Sequence, residues 1–206
     1  MVLVCVATAF EGALLQERLA NRADVKLVIT GIGPVNAAHA ATIGIIERRP
    51  DAIIVAGIAG AYPGSGLRIG DVVSAESECY GDLGAGSPNG FLDMKAMGFP
   101  IIDGPTPVYN ELPMQLFPSP KRVRFVTVST CTGTDDMARS IEGRTRGAVE
   151  NMEGAAIAHV ARLHNVPVGE VRGISNLVTN RDTSQWRMKE AAAAAQEALL
   201  AWIAQR

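Results

Sequence analysis

The chain has 206 residues, enough for one large domain that buries about 70% of its unfolded surface, and no Ser/Gly/Pro run or charge block marks a linker that would divide it. Hydrophobic residues make up 48% and aromatics only 5%, so the core must be built from Ala, Val, Ile and Leu, as in a sheet covered by Ala-rich helices. A net charge of −2, with Lys and Arg scattered rather than striped, argues against nucleic acid as the main partner and favours a small molecule.

Residues 2 to 7 form an apolar, β-rich run, followed by Thr8, Ala9, Phe10 and Glu11 and an amphipathic pattern through Leu14, Leu15 and Leu19: strand, loop, helix. The start lacks a basic signal region, and no apolar run approaches the roughly 20 residues that cross a bilayer, so a cytoplasmic protein without membrane contact is expected. Cys5 reads as plain core. With Cys79 and Cys131 it forms an odd set lacking CxxC or Cys/His spacing, so neither a disulfide framework nor a zinc site is expected. Glu11 has two readings. As a first-turn acid it complements the helix dipole, or as a carboxylate at a strand's end it faces a ligand crevice.

Val25 to Thr30 reads as the second strand, and Gly31-Ile-Gly-Pro-Val-Asn leads into an Ala-rich helix reaching about Arg49, with Pro34 fitting its first turn. The Gly-x-Gly opening lacks the third glycine and the ribose-binding acid of a dinucleotide fingerprint, so a nicotinamide cofactor is not expected. His39 reads as a packed or half-exposed helix residue. Asp51 to Ala56 is an apolar strand running into Gly57-Ile-Ala-Gly-Ala, either a tight turn or a stretch of bare backbone that a flat ligand can approach, with Ala59 and Gly60 as contacts.

Leu67 to Val73 reads as a turn into a strand. The glycine-dense segment from Tyr80 to Tyr109 shows little periodicity and is expected to close over a site or meet a second subunit. Arg124 to Ser129 is another strand, followed by Thr130-Cys-Thr-Gly-Thr, whose hydroxyls are expected to cap a short helix over 135–141.

From Glu150 onward a short strand leads to a helix over about Met152 to His164, a turn at Val166 and Pro167, and an apolar strand ending in Gly173-Ile-Ser-Asn. Glu153 stands at the mouth of that helix and Asn176 at the end of that strand, so the two are expected on one side of a parallel sheet, around one ligand. A carboxylate accepts from a sugar diol, and a carboxamide donates to a ring nitrogen and an exocyclic oxygen. His159 and His164 read as surface or packing residues. The last helix is expected from about Ser184, as its N-cap, to Gln205, with Trp186 and Trp202 near its ends.

Five motifs in order, Gly31-Ile-Gly-Pro-Val-Asn-Ala, Ala56-Gly-Ile-Ala-Gly-Ala, Gly70-Asp-Val-Val, Asn151-Met-Glu-Gly-Ala-Ala-Ile-Ala and Val171-Arg-Gly-Ile-Ser-Asn, resemble the purine nucleosidase and nucleoside phosphorylase superfamily over nearly the whole chain. Tyr80-Gly-Asp-Leu-Gly-Ala, Gly90-Phe-Leu and Ser175-Asn-Leu look most like its futalosine hydrolase family, of the alternative menaquinone pathway. The resemblance implies a three-layer αβα sandwich with a twisted mixed β-sheet, a homodimer, a purine nucleoside substrate, and no metal or organic cofactor. It places Glu11 as the base that activates water, Met152 and Glu153 at the ribose, and Asn176 where methylthioadenosine/S-adenosylhomocysteine nucleosidases keep an aspartate that protonates N7. A carboxamide suits hypoxanthine, whose N7 and O6 are both acceptors, better than adenine. The alternatives are a methylthioadenosine/S-adenosylhomocysteine nucleosidase, a nucleoside phosphorylase, and a binding module without catalysis. For the aryl carboxylate expected at the 5′ end of futalosine, Arg68, Arg181 and Arg187 are candidates by charge alone.

Overall fold

Inward-facing side chains alternate along the central strands, and the alternation sets the layers of the protein. The computed structural model describes residues 1–206. Strand β1 (Val2–Val6) turns Leu3 and Cys5 to one face and Val4 and Val6 to the other, and β3 (Ala52–Ala61) divides Ile53 and Val55 from Ile54 and Ala56 in the same way. Over the first face lie α2 (Pro34–Arg48) and α5 (Gly154–Leu163), through Ala37, Ala41, Ile45, Ala155 and Ile157. Over the second lie α1 (Ala9–Arg18) and α6 (Met188–Ile203), through Leu15, Leu199 and Ile203. The αβα layering expected of the chain is present, with Cys5 buried in its centre.

The sheet has eight strands and is mixed. From β2 (Val25–Ile29) at one edge the order runs β1, β3, β9 (Val149–Asn151), β8 (Arg122–Thr127), β4 (Val72–Tyr80) and β10 (Val168–Leu177), with β7 (Glu111–Pro113) added on β4. Strand β10 also pairs in parallel with β3, so β3, β9, β8, β4 and β10 close on themselves. That closure corrects two expectations. Residues 57 to 61 form not a tight turn but the second half of β3, paired with β10 on one side and with β9 on the other. And the strand that delivers Glu153 is not part of a purely parallel sheet, since β9 runs antiparallel to β3 while remaining parallel to β8.

The segment after β4 holds more structure than its composition suggests. A hairpin of β5 (Gly84–Ser87) and β6 (Gly90–Asp93) runs into α3 (Met94–Met97), whose N-terminus the Asp93 carboxylate caps at Ala96 N–H. Helix α4 (Asp135–Thr145) is a turn longer than expected, and Thr134 is its cap. Helix α6 starts later than expected. Asp182 caps a single 3-10 turn at Thr183–Gln185, and the N–H and hydroxyl of Ser184 both donate to Asp182, so the expected cap is itself a donor to an earlier one.

Candidate functional site

A cavity of about 250 Å³ opens where α1, β3, α5 and β10 begin or end. Glu11, Ala59, Gly60, Met152, Glu153 and Asn176, singled out from sequence, all line it. No residue of the 80–113 segment does, so within one chain that segment does not close over the site. A larger groove of about 640 Å³, between β7 and the end of α5, is lined by Lys95, Glu111 and Arg162 at its surface and holds no buried charge cluster.

Glu11 is brought in by the first turn of α1. The Thr8 hydroxyl accepts from Glu11 N–H, setting the helix start, and donates back to Glu11 Oε2 at 2.8 Å. Glu11 Oε1 turns to β3 and accepts from Ile58 N–H at 3.0 Å, so the carboxylate is 5% exposed and fixed at both oxygens. The dipole reading of this acid and the crevice reading therefore describe one geometry, because the helix start itself faces the cavity.

Glu153 sits just before α5 and is 4% exposed. Its Oε1 accepts from Gly33 N–H at 3.1 Å, which ties it to the loop before α2. Asn151 holds the turn from inside, its Oδ1 accepting from the N–H groups of Glu153 and Gly154. Asn176 closes the far side at the end of β10. Its Oδ1 accepts from the Ser175 hydroxyl at 2.8 Å, and one N–H of its amide donates to the Leu177 carbonyl at 3.1 Å, leaving the other N–H for a ligand. Met152 meets Cys131 sulfur to sulfur at 3.2 Å on the cavity wall.

The residue that joins the two carboxylates, Arg172, was not singled out from sequence. Its side chain is 2% exposed. Nη2 donates to Glu153 Oε2 at 3.2 Å, Nη1 donates to the Ile58 carbonyl and lies 4.0 Å from Glu11 Oε1, and Nε donates to Glu170 Oε1 at 2.7 Å. Burial works to lower the pKa of Arg172, but Glu170, Glu153 and Glu11 outweigh it and hold the guanidinium firmly charged. The signal available in sequence is Glu170 and Arg172, two residues apart in an apolar strand. That spacing puts both charges on one strand face, where buried charges must pair.

A second missed acid, Glu150, anchors the loop after β8. It accepts from the Tyr62 hydroxyl, from Thr132 N–H and from the Thr132 hydroxyl. Of the loop's hydroxyls Thr134 caps a helix as expected, while Thr132 binds this carboxylate. Of the three arginines noted for charge, Arg181 lines the cavity, with its guanidinium 5.1 Å over the Trp186 ring; Arg68 and Arg187 do not line it.

The bare backbone of β3 has a specific use. A Cβ on Gly57 would stand 2.5 Å from Glu11 Oε1 and 2.7 Å from Arg172 Nη1. Gly57→Ala is therefore expected to push the Glu11–Arg172 pair apart and to destabilise the fold by about 1–3 kcal/mol. Thermal unfolding of the variant checks this, and an unchanged Tm would show that the pair has room to move.

The model of the phosphorylase superfamily matches residues 9–204. The chain is 36% identical to a futalosine hydrolase of Streptomyces coelicolor over 84% of its own length and 76% of that protein's. It is 31% identical to a futalosine hydrolase of Thermus thermophilus, over 85% and 80% of the two chains. A 5′-methylthioadenosine/S-adenosylhomocysteine nucleosidase of Maridesulfovibrio salexigens is 34% identical over 84% and 78%. Among solved structures, the corresponding nucleosidase of Neisseria meningitidis superposes with a TM-score of 0.83 at 20% identity, covering 100% of this chain and 99% of that one.

Proposed function

Because the chain belongs to the phosphorylase superfamily, we propose that it hydrolyses the N-glycosidic bond of futalosine, releasing hypoxanthine and dehypoxanthine futalosine, as a cytoplasmic step of the futalosine route to menaquinone. The observation that carries this reading is the meeting of Glu11, Glu153 and the Asn176 carboxamide around one cavity. Glu153 accepts from the ribose hydroxyls beside Met152, and Ala59 and Gly60 give the nucleoside a flat backbone wall. As the bond to the purine breaks, positive charge grows on the ribosyl ring next to Glu153, and negative charge grows on the base next to the free N–H of Asn176. Glu11 takes a proton from the water that attacks the anomeric carbon.

Water is favoured over phosphate by charge. A phosphate beside Glu11 and Glu153 would be repelled, and the Arg172 cation is already matched by Glu153 and Glu170. Arg181, at the Trp186 side of the cavity, is the arginine available to an anionic 5′ substituent.

The test is to incubate the purified protein with futalosine, inosine and methylthioadenosine, with and without phosphate. Hypoxanthine release from futalosine, indifferent to phosphate, is expected. Adenine release as the main activity would assign the protein to methylthioadenosine/S-adenosylhomocysteine chemistry, phosphate dependence would make it a phosphorylase, and no release at all would leave a binding module.

We further propose a homodimer formed through α2. Val35 (82% exposed), Ile43 and Ile46 line one exposed face of that helix, and Ile32, at its entry, is exposed and also borders the cavity. An apolar stripe of this kind on a soluble chain marks an interaction surface. Analytical ultracentrifugation at micromolar concentration is expected to give twice the chain mass for wild type and a monomer for Val35→Glu combined with Ile46→Glu. A monomeric wild type would overturn the assignment.

A further inference from the structure

Beneath the cavity lies a buried acid pair that the reaction outlined above does not use. Glu78 on β4 and Glu170 on β10 are both 0% exposed, and a Cβ on Gly154 would touch Glu78 Oε1 and Glu170 Oε2 together, which places the two oxygens side by side over the start of α5. Glu170 Oε1 accepts from Arg172 Nε, but Glu170 Oε2 has no donor at all. Glu78 is held by neutral donors, Asn151 from β9 at Oε1 and the Thr127 hydroxyl from β8 at Oε2. The charged groups facing the pair are Arg172 on β10 and, beyond it, Glu153 before α5 and Glu11 on α1.

Two carboxylates cannot both stay ionised with their oxygens in contact and no cation between them. A proton on Glu78 Oε1 resolves both anomalies, giving Glu170 Oε2 its missing donor while Oε1 keeps a lone pair for Asn151. Burial, then the charge of Glu170, pushes the Glu78 carboxyl well above the usual range, and burial also raises Glu170 against the pull of Arg172.

We propose that Glu78 and Glu170 hold one proton between them and act as positioning residues, the resulting acid–carboxylate unit fixing the Arg172 guanidinium where it meets Glu153 and Glu11. Only the kinetic arm of this inference rests on the proposed hydrolase reading; the protonation state stands independently of any substrate.

The informative substitution is Glu170→Gln. Its amide oxygen still accepts from Arg172 Nε and its NH2 donates to an ionised Glu78, so the hydrogen bonds survive with the proton now fixed on nitrogen. Difference infrared spectra of the intact protein at pH 8 are expected to show a protonated carboxyl carbonyl band in wild type that disappears in E170Q. The unfolded carboxyls release their protons above about pH 4.3, whereas the native pair keeps one. The pair's contribution to stability therefore falls as pH rises, and that fall is expected to flatten in E170Q. In turnover, E170Q is expected within about threefold of wild type, whereas Glu170→Ala, which leaves Arg172 Nε without its acceptor, is expected to lose about tenfold or more in kcat with a smaller change in KM. Absence of the carboxyl band in wild type, an E170Q as impaired as E170A, or a folded E170A with wild-type kcat would each overturn the proposal. Should the protein release no base from any nucleoside, the infrared and pH measurements still decide the shared proton.

Discussion

Glu11→Gln is expected to lower kcat for hypoxanthine release by about 10²- to 10⁴-fold, the range for a positioned general base. The substitution is nearly isosteric, and the local hydrogen bonds tolerate it. The amide oxygen can keep the Ile58 N–H, while the new NH2 can donate to the Thr8 hydroxyl, which at present donates to Glu11. What disappears is the ability to take a proton from water, together with one of the negative charges facing Arg172. KM is expected to change little, because the nucleoside contacts proposed for Glu153, Met152 and Asn176 are left in place. Steady-state kinetics on futalosine, with Tm as the control for folding, check the result. Turnover at the wild-type rate would remove Glu11 as the base.

The second large effect is expected at the opposite wall. Asn176→Asp removes the one amide N–H left free for the base, and while ionised the aspartate offers N7 and O6 of hypoxanthine, two acceptors, no donor. An unmatched buried polar contact of this kind costs about 1–3 kcal/mol, so kcat/KM for futalosine is expected to fall by about tenfold to more than a hundredfold. The position adds a further effect. One N–H of Asn176 now donates to the Leu177 carbonyl, and an ionised aspartate there would place oxygen against oxygen. The carboxyl is thereby pressed towards its protonated form, an acid able to give one proton and accept another hydrogen bond, which suits adenine. The ratio of hypoxanthine to adenine release, measured with inosine and adenosine as paired substrates, is expected to fall in the variant. An unchanged ratio would show that base choice resides elsewhere in the cavity.

The sites of these two substitutions were within reach of sequence for a local reason. Strand ends and helix starts carry recognisable residue patterns, so Thr8 before Glu11, the Gly-Pro entry to α2 and the polar end of β10 place their side chains within a few residues of a known terminus. Arg172 could not be placed in this way, although its motif was visible. A buried guanidinium is tolerable only with its partners in place, and those come from α1, β3, the start of α5 and β10, up to 161 positions apart in the chain between Glu11 and Arg172. The hairpin at 84–93 escaped notice because its strands are four residues each and half of those in β5 are glycine.

Sequence by itself determined most of the succession of strands and helices, the Ala- and Val-rich layers, and the presence of Glu11, Glu153 and Asn176 at element ends that line one cavity, because each depends on short-range periodicity and on the chemistry of element ends. Only the tertiary structure decided that residues 57–61 continue a strand, that the sheet closes through β3 and β10, and that Glu78, Glu170 and Arg172 form a buried polar layer under the cavity. Those outcomes depend on pairing between distant segments, and the free energy of a buried charge or an unpaired strand edge is set by the partner that arrives, which no local pattern records.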